Sequence, residues 1–254
     1  MVSMSRLHAA IDLDDVCLDL VGGVCRAVSK EYGVDLQPEQ ITDWNFNIWL
    51  EPILGEKWMK WMRRRDWLWS TFPAVSGAIG GIDTLRRRGV YLELLTSKPD
   101  WAENQVWKWL GLWRPAFNRV TIVGPDDRKV DFTDADILVD DKPQNVQEFL
   151  EAGRRAILFT RPHNLRIWNI PLRSTQVVAT VDDPLAMRYP PVVRVTRADS
   201  WGAIVDLLSP RQEEDHGNPT PRERLVHPES TVTAVPLPPL SYGGGVLRHP
   251  RLRG

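Results

Sequence analysis

Asp12 and Asp14 stand two residues apart at the polar end of a short apolar run. In extended chain such residues share a face, so their carboxylates lie near one another. Neighbouring carboxylates repel unless a positive charge, commonly a metal ion, neutralises them. A second acidic pair, Asp140-Asp141, ends another apolar run. The two pairs together would make an oxygen-rich site of the kind suited to Mg²⁺. A third run ends in Thr96-Ser97-Lys98, which adds hydroxyls and a cation. A lone D-x-D is more often a turn or a cap. Two acidic run ends with a Thr-Ser end between them are a much stronger signal.

The runs that carry these clusters are Leu7 to Ile11, Val90 to Leu95 and Ile137 to Val139. They are short, rich in branched side chains and abruptly polar at one end, as strands buried on both faces of a parallel sheet are. Val120 to Val123 and Ala156 to Phe159 read the same way, and Val192 to Val195 reads as a last strand. Helical segments alternate with them: Asp83 to Arg88, Trp101 to Leu110 after Pro99-Asp100, and Asn145 to Ala152 before Gly153. A last helix follows over Asp199 to Leu208, capped by Asp199 or Ser200, with Trp201, Ile204, Val205 and Leu208 facing inward. The alternation predicts an α/β fold with a doubly wound, mostly parallel sheet. Ligands of such sheets bind beyond the carboxyl ends of the strands, where all three polar clusters fall.

Residues 20–82 interrupt the alternation. They are helical in character, hold Trp44, Trp49, Trp58, Trp61, Trp67 and Trp69, and read as an insertion after the first strand. The expected organisation is a core of residues 1–19 and 83–209, a tryptophan-rich helical cap of 20–82, and a disordered tail of 210–254, rich in Pro, Gly and charge.

The 254 residues suffice for one core with a smaller addition, and 43% hydrophobic with 26% charged residues is ordinary for a globular protein. A formal net charge of −1 gives no electrostatic reason to expect nucleic acid or an anionic membrane as partner. Cys17 and Cys25 are the only cysteines, read as buried apolar groups rather than a disulfide framework. The first residues show no secretion signal, and no apolar run reaches the ~20 residues of a membrane span. The expectation is a cytoplasmic protein, of a bacterium or of the host cell of a phage.

In order and in strand context, IDLDDV (11–16), LLTS (94–97) and ILVDDKP (137–143) resemble motifs of the haloacid dehalogenase (HAD) superfamily, with Lys129 as the lone basic residue ahead of the last. TDWNF (42–46), the interval from Lys129 to Asp140, and LFTRPHN (158–164) are similar to its 5′(3′)-deoxyribonucleotidase-like branch. The resemblance covers roughly residues 7–209. It implies a Rossmann-like core with a small helical cap, and Mg²⁺-dependent hydrolysis of (deoxy)nucleoside monophosphates. Asp12 would attack phosphorus and form an aspartyl-phosphate. Asp14 would protonate the leaving alkoxide and later deprotonate the attacking water. Thr96 would bind a phosphoryl oxygen and Lys129 would neutralise charge. The metal would be held by Asp12, Asp14 through its carbonyl, Asp140, and Asp141 as a ligand or support. Ser97 and Lys98 would bind substrate, with Trp44 and Phe46 closing on the base; Trp49, Trp67 and Trp69 are further candidates for stacking.

Bland readings stand beside these. Lys98 and Lys142 compete with Lys129 for the phosphate-neutralising role. For any one cap tryptophan, filling the cap's interior outweighs base stacking. Arg63-Arg64-Arg65 reads as a solvated helix face, and Asp126, Asp127, Asp131, Asp134 and Asp136 as an acidic loop. Asp15 stands where many members of the branch carry glycine. Two rival functions are a HAD phosphatase for a nucleic-acid end or a sugar phosphate, and a catalytically idle scaffold whose tail binds partners. A small nucleoside monophosphate is the expected partner, without membrane or nucleic acid; a homodimer is left open.

Overall fold

The computed structural model of the chain describes residues 6–172 and 192–209. Six parallel strands form its centre: β1 (His8–Ile11), β2 (Tyr91–Ser97), β3 (Arg119–Val123), β4 (Ile137–Asp140), β5 (Arg155–Phe159) and β8 (Thr196–Ala198), in the spatial order β3-β2-β1-β4-β5-β8. Every residue of β1 and β4 is buried, which is why both read as largely apolar runs. The register aligns Ile11 with Leu94 of β2 on one side and Val139 of β4 on the other. From β1 the chain winds outward through β2 and β3, then returns to lay β4, β5 and β8 on the opposite side. The order thus reverses between β1 and β4, and a crevice opens there beyond the strand ends. Asp12 and Asp140 flank it.

Helices α6 (Glu103–Trp113), α7 (Pro143–Glu151) and α8 (Trp201–Leu208) accompany the later strands. Ser200 caps α8, its hydroxyl accepting a hydrogen bond from the Ala203 amide at 3.3 Å. Gly153, at φ 73°, turns the chain out of α7. Asp100–Ala102 forms a tight 3-10 turn, so α6 begins two residues later than the Pro-Asp signal suggests.

Between β1 and β2 lie α1 (Leu20–Tyr32), α2 (Asn47–Leu54), α3 (Trp58–Arg63), α4 (Trp67–Thr71) and α5 (Ala78–Arg87). Trp61 and Met62 are fully buried and Trp69 nearly so, in one apolar cluster that is continuous with β1 and β2. A division of the chain at 82/83 would cut through α5, which packs on α8 and belongs with the sheet. Helix α4 lies on α6, tied by Gln105 Nε2 donating to Asp66 at 3.1 Å and Trp109 Nε1 to the Phe72 carbonyl at 3.0 Å.

The expected last strand needs correction. Val192–Arg194 is a separate strand, β7, paired antiparallel with β6 (Asn169–Pro171) outside the main sheet. The strand that completes the sheet is Thr196–Ala198, aligned with Ile157 to Phe159. Its three residues include an arginine, so no apolar run marks it. The tail expected over 210–254 lies outside the described residues. Among the described residues, no helix is long and apolar enough to cross a membrane.

Candidate active site

Asp12 leaves β1 with its amide bonded to the Val139 carbonyl at 2.9 Å, so its backbone is fixed by β4. One carboxylate oxygen, Oδ1, accepts from the Leu13 amide at 2.7 Å and from Lys129 Nζ at 2.8 Å. The chain then curls tightly, with the Cys17 and Leu18 amides both bonding the Leu13 carbonyl at 2.8 Å. Asp15 takes the left-handed conformation, φ 54°. Glycine enters that region freely, and aspartate is among the few other residues that tolerate it. The Asp15 carboxylate accepts from the Val21 amide at 3.0 Å. From the far end of the chain, Trp201 Nε1 donates to the Val16 carbonyl at 2.7 Å.

Across the crevice, Lys129 joins the two strand ends. Its Nζ reaches Asp12 Oδ1 at 2.8 Å and Asp140 Oδ2 at 2.7 Å, and the side chain is 1% exposed. Asp140 is held further by Asn145 Nδ2 at 2.9 Å and by the Lys142 amide at 2.8 Å, both at the start of α7. Asp141, fully buried, is hydrogen-bonded through Oδ2 to His163 Nε2 at 2.8 Å, and its carbonyl accepts from Asn164 Nδ2 at 2.8 Å. Its other oxygen, Oδ1, is buried without a partner among the described residues.

On the cap side, both oxygens of Asp14 are engaged. Trp69 Nε1 of α4 donates to Oδ1 at 2.9 Å, and Lys98 Nζ pairs with Oδ2. The Lys98 ammonium lies 4.1 Å from the centre of the Trp69 ring, which favours the cation further. Thr96 is buried at the end of β2, and Ser97 follows it half-buried.

Asp12, Asp140 and Asp141 present carboxylate oxygens within 4.8 Å of one another. Burial, opposed by Lys129 and aided by Asp12, raises the Asp140 carboxyl above its ordinary range. Burial and the nearby charges of Asp140 and Asp12 push Asp141 well above it. Burial alone would lower Lys129, but the two aspartates hold it firmly protonated. One lysine cannot keep three clustered buried carboxyls ionised, which is why Asp140 and Asp141 are raised. A divalent cation would let them ionise together, and hard oxygen donors with one carboxylate oxygen unpartnered among the described residues fit it. Beside this set, Asp15 is raised to about 7 by burial and by Asp141, while burial lowers His163 to about 4, keeping it neutral near pH 7.

The expected residues divide by position. Asp12, Lys129, Asp140 and Asp141 converge on the crevice; Asp14 and Lys98 form a pair at its cap side. Trp44 is 40% exposed, 5.0 Å from the His163 ring, with Lys142 Nζ 5.8 Å above it; Phe46 is buried beneath, against Trp58. Trp67 is exposed, and Trp69 is committed to Asp14 and Lys98. Arg64 pairs with Glu56 and Arg65 with Glu31, away from the crevice. The five loop aspartates are exposed. Cys17 is buried, and burial together with Asp12 and Asp14 pushes its thiol far up, so it is inert. Sequence reasoning missed Asn145, His163 and Asn164 as site residues. LFTRPHN drew notice only as a similarity, and the Asn of KPQN carries no signal until α7 turns it toward Asp140.

The sequence pattern of the family described as 5′ nucleotidase, deoxy (pyrimidine), cytosolic type C, matches residues 6–178, more than half of the chain. The chain belongs to this family. As a member of the 5′-nucleotidase family it is a phosphatase of HAD type. Solved structures similar to it include the HAD hydrolase YfnB of Bacillus subtilis bound to magnesium, at 10% identity and TM-score 0.50, covering 80% of this chain and 98% of that one. L-2-haloacid dehalogenase of Xanthobacter autotrophicus, with chloropropionic acid covalently bound, gives 11% identity and the same TM-score, covering 80% and 98%. At such identities these likenesses speak for the fold. No curated protein sequence matches the chain.

Proposed function

We propose that this 5′-nucleotidase-family protein hydrolyses (deoxy)nucleoside monophosphates in the cytosol, through a phosphoryl group carried transiently on Asp12. The observation that carries the reading is the buried Asp12–Lys129–Asp140 bridge at the point where the strand order reverses. Asp12 is fixed at backbone and side chain and is 6% exposed, so its carboxylate needs little reorganisation to attack phosphorus in line. Lys129, shared between Asp12 and Asp140, offsets negative charge as the phosphoryl group approaches. Thr96 supplies a hydroxyl to a phosphoryl oxygen.

Asp14 gives a proton to the leaving 5′-oxygen and later takes one from the water that cleaves the Asp12 ester. For that, an oxygen now bonded to Lys98 or Trp69 must turn to the substrate, so both groups act on the acid. Asp12, the Asp14 carbonyl, Asp140 and Asp141 would hold Mg²⁺, which supplies neutralisation of phosphoryl charge. Trp44, exposed above Phe46 at the crevice edge, offers a face for the nucleobase.

The test is phosphate release from ribo- and deoxyribonucleoside 5′- and 3′-monophosphates, with and without Mg²⁺. Turnover of one or a few nucleotides that needs Mg²⁺ and falls by at least about 10³-fold in Asp12→Asn is expected. Hydrolysis of aryl phosphate alone would keep the chemistry and remove the nucleotide. Undiminished turnover in Asp12→Asn would refute the mechanism.

A further inference from the structure

Asp141 is gripped from two directions by consecutive residues of the loop after β5. His163 holds its side chain and Asn164 its backbone carbonyl, while Asn164 also donates to the Phe159 carbonyl at 2.8 Å. Asn164 Oδ1 in turn accepts from Arg197 Nη2 at 2.8 Å and the Arg161 amide at 3.0 Å, so this part of the grip is anchored in the sheet. The imidazole has no such anchor. Its Nδ1 is buried without a partner among the described residues, and apart from the bond to Asp141 its orientation rests on ring packing. The rings that pack on it belong to the insertion: Trp44 at 5.0 Å and Phe46 at 5.8 Å between centroids, both edge to face.

We propose that His163 is a positioning residue that sets the rotamer of Asp141, and that the segment bearing Trp44 and Phe46, by fixing the His163 ring, couples the seating of the cap to the cation-binding carboxylates. A carboxylate with one oxygen held and the other unpartnered is pre-oriented for a cation; released, it loses that orientation and some of its affinity. The cap segment that would meet the nucleobase thereby touches, through a single ring, the group that would meet the metal. This rests on the reading of the acidic cluster as a Mg²⁺ site.

The experiment is a Mg²⁺ titration of the melting temperature of the full chain without substrate. In His163→Ala the Mg²⁺ concentration giving half the maximal stabilisation rises by about 10-fold or more. His163→Gln, which keeps a donor near the place of Nε2, stays within about threefold of the wild type. Trp44→Ala, at an exposed residue, shifts the midpoint in the same direction as His163→Ala and by less. With turnover assayed at saturating Mg²⁺, kcat of His163→Ala recovers most of its loss. An unchanged midpoint in His163→Ala, with only a lower melting temperature, overturns the proposal; if that variant does not fold, an unchanged midpoint in Trp44→Ala does so. A wild type that Mg²⁺ fails to stabilise overturns the metal reading first, and the proposal with it.

Discussion

Two buried lysines face this crevice, and their partners separate their roles. Lys129 bridges Asp12 and Asp140, whereas Lys98 meets Asp14 over the Trp69 ring. A cation shared by Asp12 and Asp140 and another held by Asp14 are not interchangeable, although both read as a lysine near a polar strand end. A third charged group, Glu93, is fully buried in β2 away from the crevice. It accepts from Thr121 and from Thr133 at 2.6 Å, and pairs with His8 at 3.0 Å and Arg119 at 3.3 Å. Burial opposes its charge, but these bonds prevail and hold its pKa below the ordinary value. A lowered carboxylate contributes stability that is present above the unfolded pKa and lost as pH falls through the folded one. Glu93→Gln is therefore expected to cost about 2 to 4 kcal/mol at pH 7 in urea unfolding, with the gap from wild type narrowing below about pH 4.5. A gap that widens toward acid would contradict that account.

At the scale of elements, the strands were legible because burial on both faces leaves an apolar run with a sharp polar end, and that end is the site. Helix limits were less so: α5 already starts at Ala78, with Gly81 packed against Trp201 and Gly80 facing open space, neither breaking the helix. A methyl group on Gly81 would lie 2.5 Å from Trp201 Cε3, whereas one on Gly80 would meet nothing within 4 Å. The two substitutions should act oppositely. Gly80→Ala gains about 0.5 to 1 kcal/mol from backbone entropy. Gly81→Ala loses about 1 to 3 kcal/mol through overpacking, against a similar entropic gain of at most ~1, for a net fall in melting temperature. Both variants stabilised alike would remove the close α5–α8 approach. What stayed illegible is what sequence distance hides. His163 lies 22 residues from Asp141, and β8 is a short edge strand whose Arg197 reaches back to Asn164.

At the scale of the molecule, the family match ends at 178, yet β8 and α8 lie beyond it. They close one edge of the sheet and bury Trp201, Ile204 and Leu208. A chain ended after residue 178 should lose cooperative unfolding and turnover together, since it uncovers that apolar face. One ended after Ser209 should retain both. Thermal melts and phosphate release distinguish the cases, and a fully active 1–178 fragment would show β8 and α8 to be dispensable.

The bond from Trp201 to Val16 spans 185 residues, and the strand that presents Asp12 sits in the middle of the sheet with neighbours made much later. A ribosome therefore releases Asp12 almost first and its fixings almost last. Contacts this distant along the chain form slowly, because each closes a long loop. Nascent chains carry an Asp12 whose loop is still unpinned. On the proposed mechanism, reactivity toward phosphate esters thus arrives with completion of the sheet rather than with synthesis of Asp12.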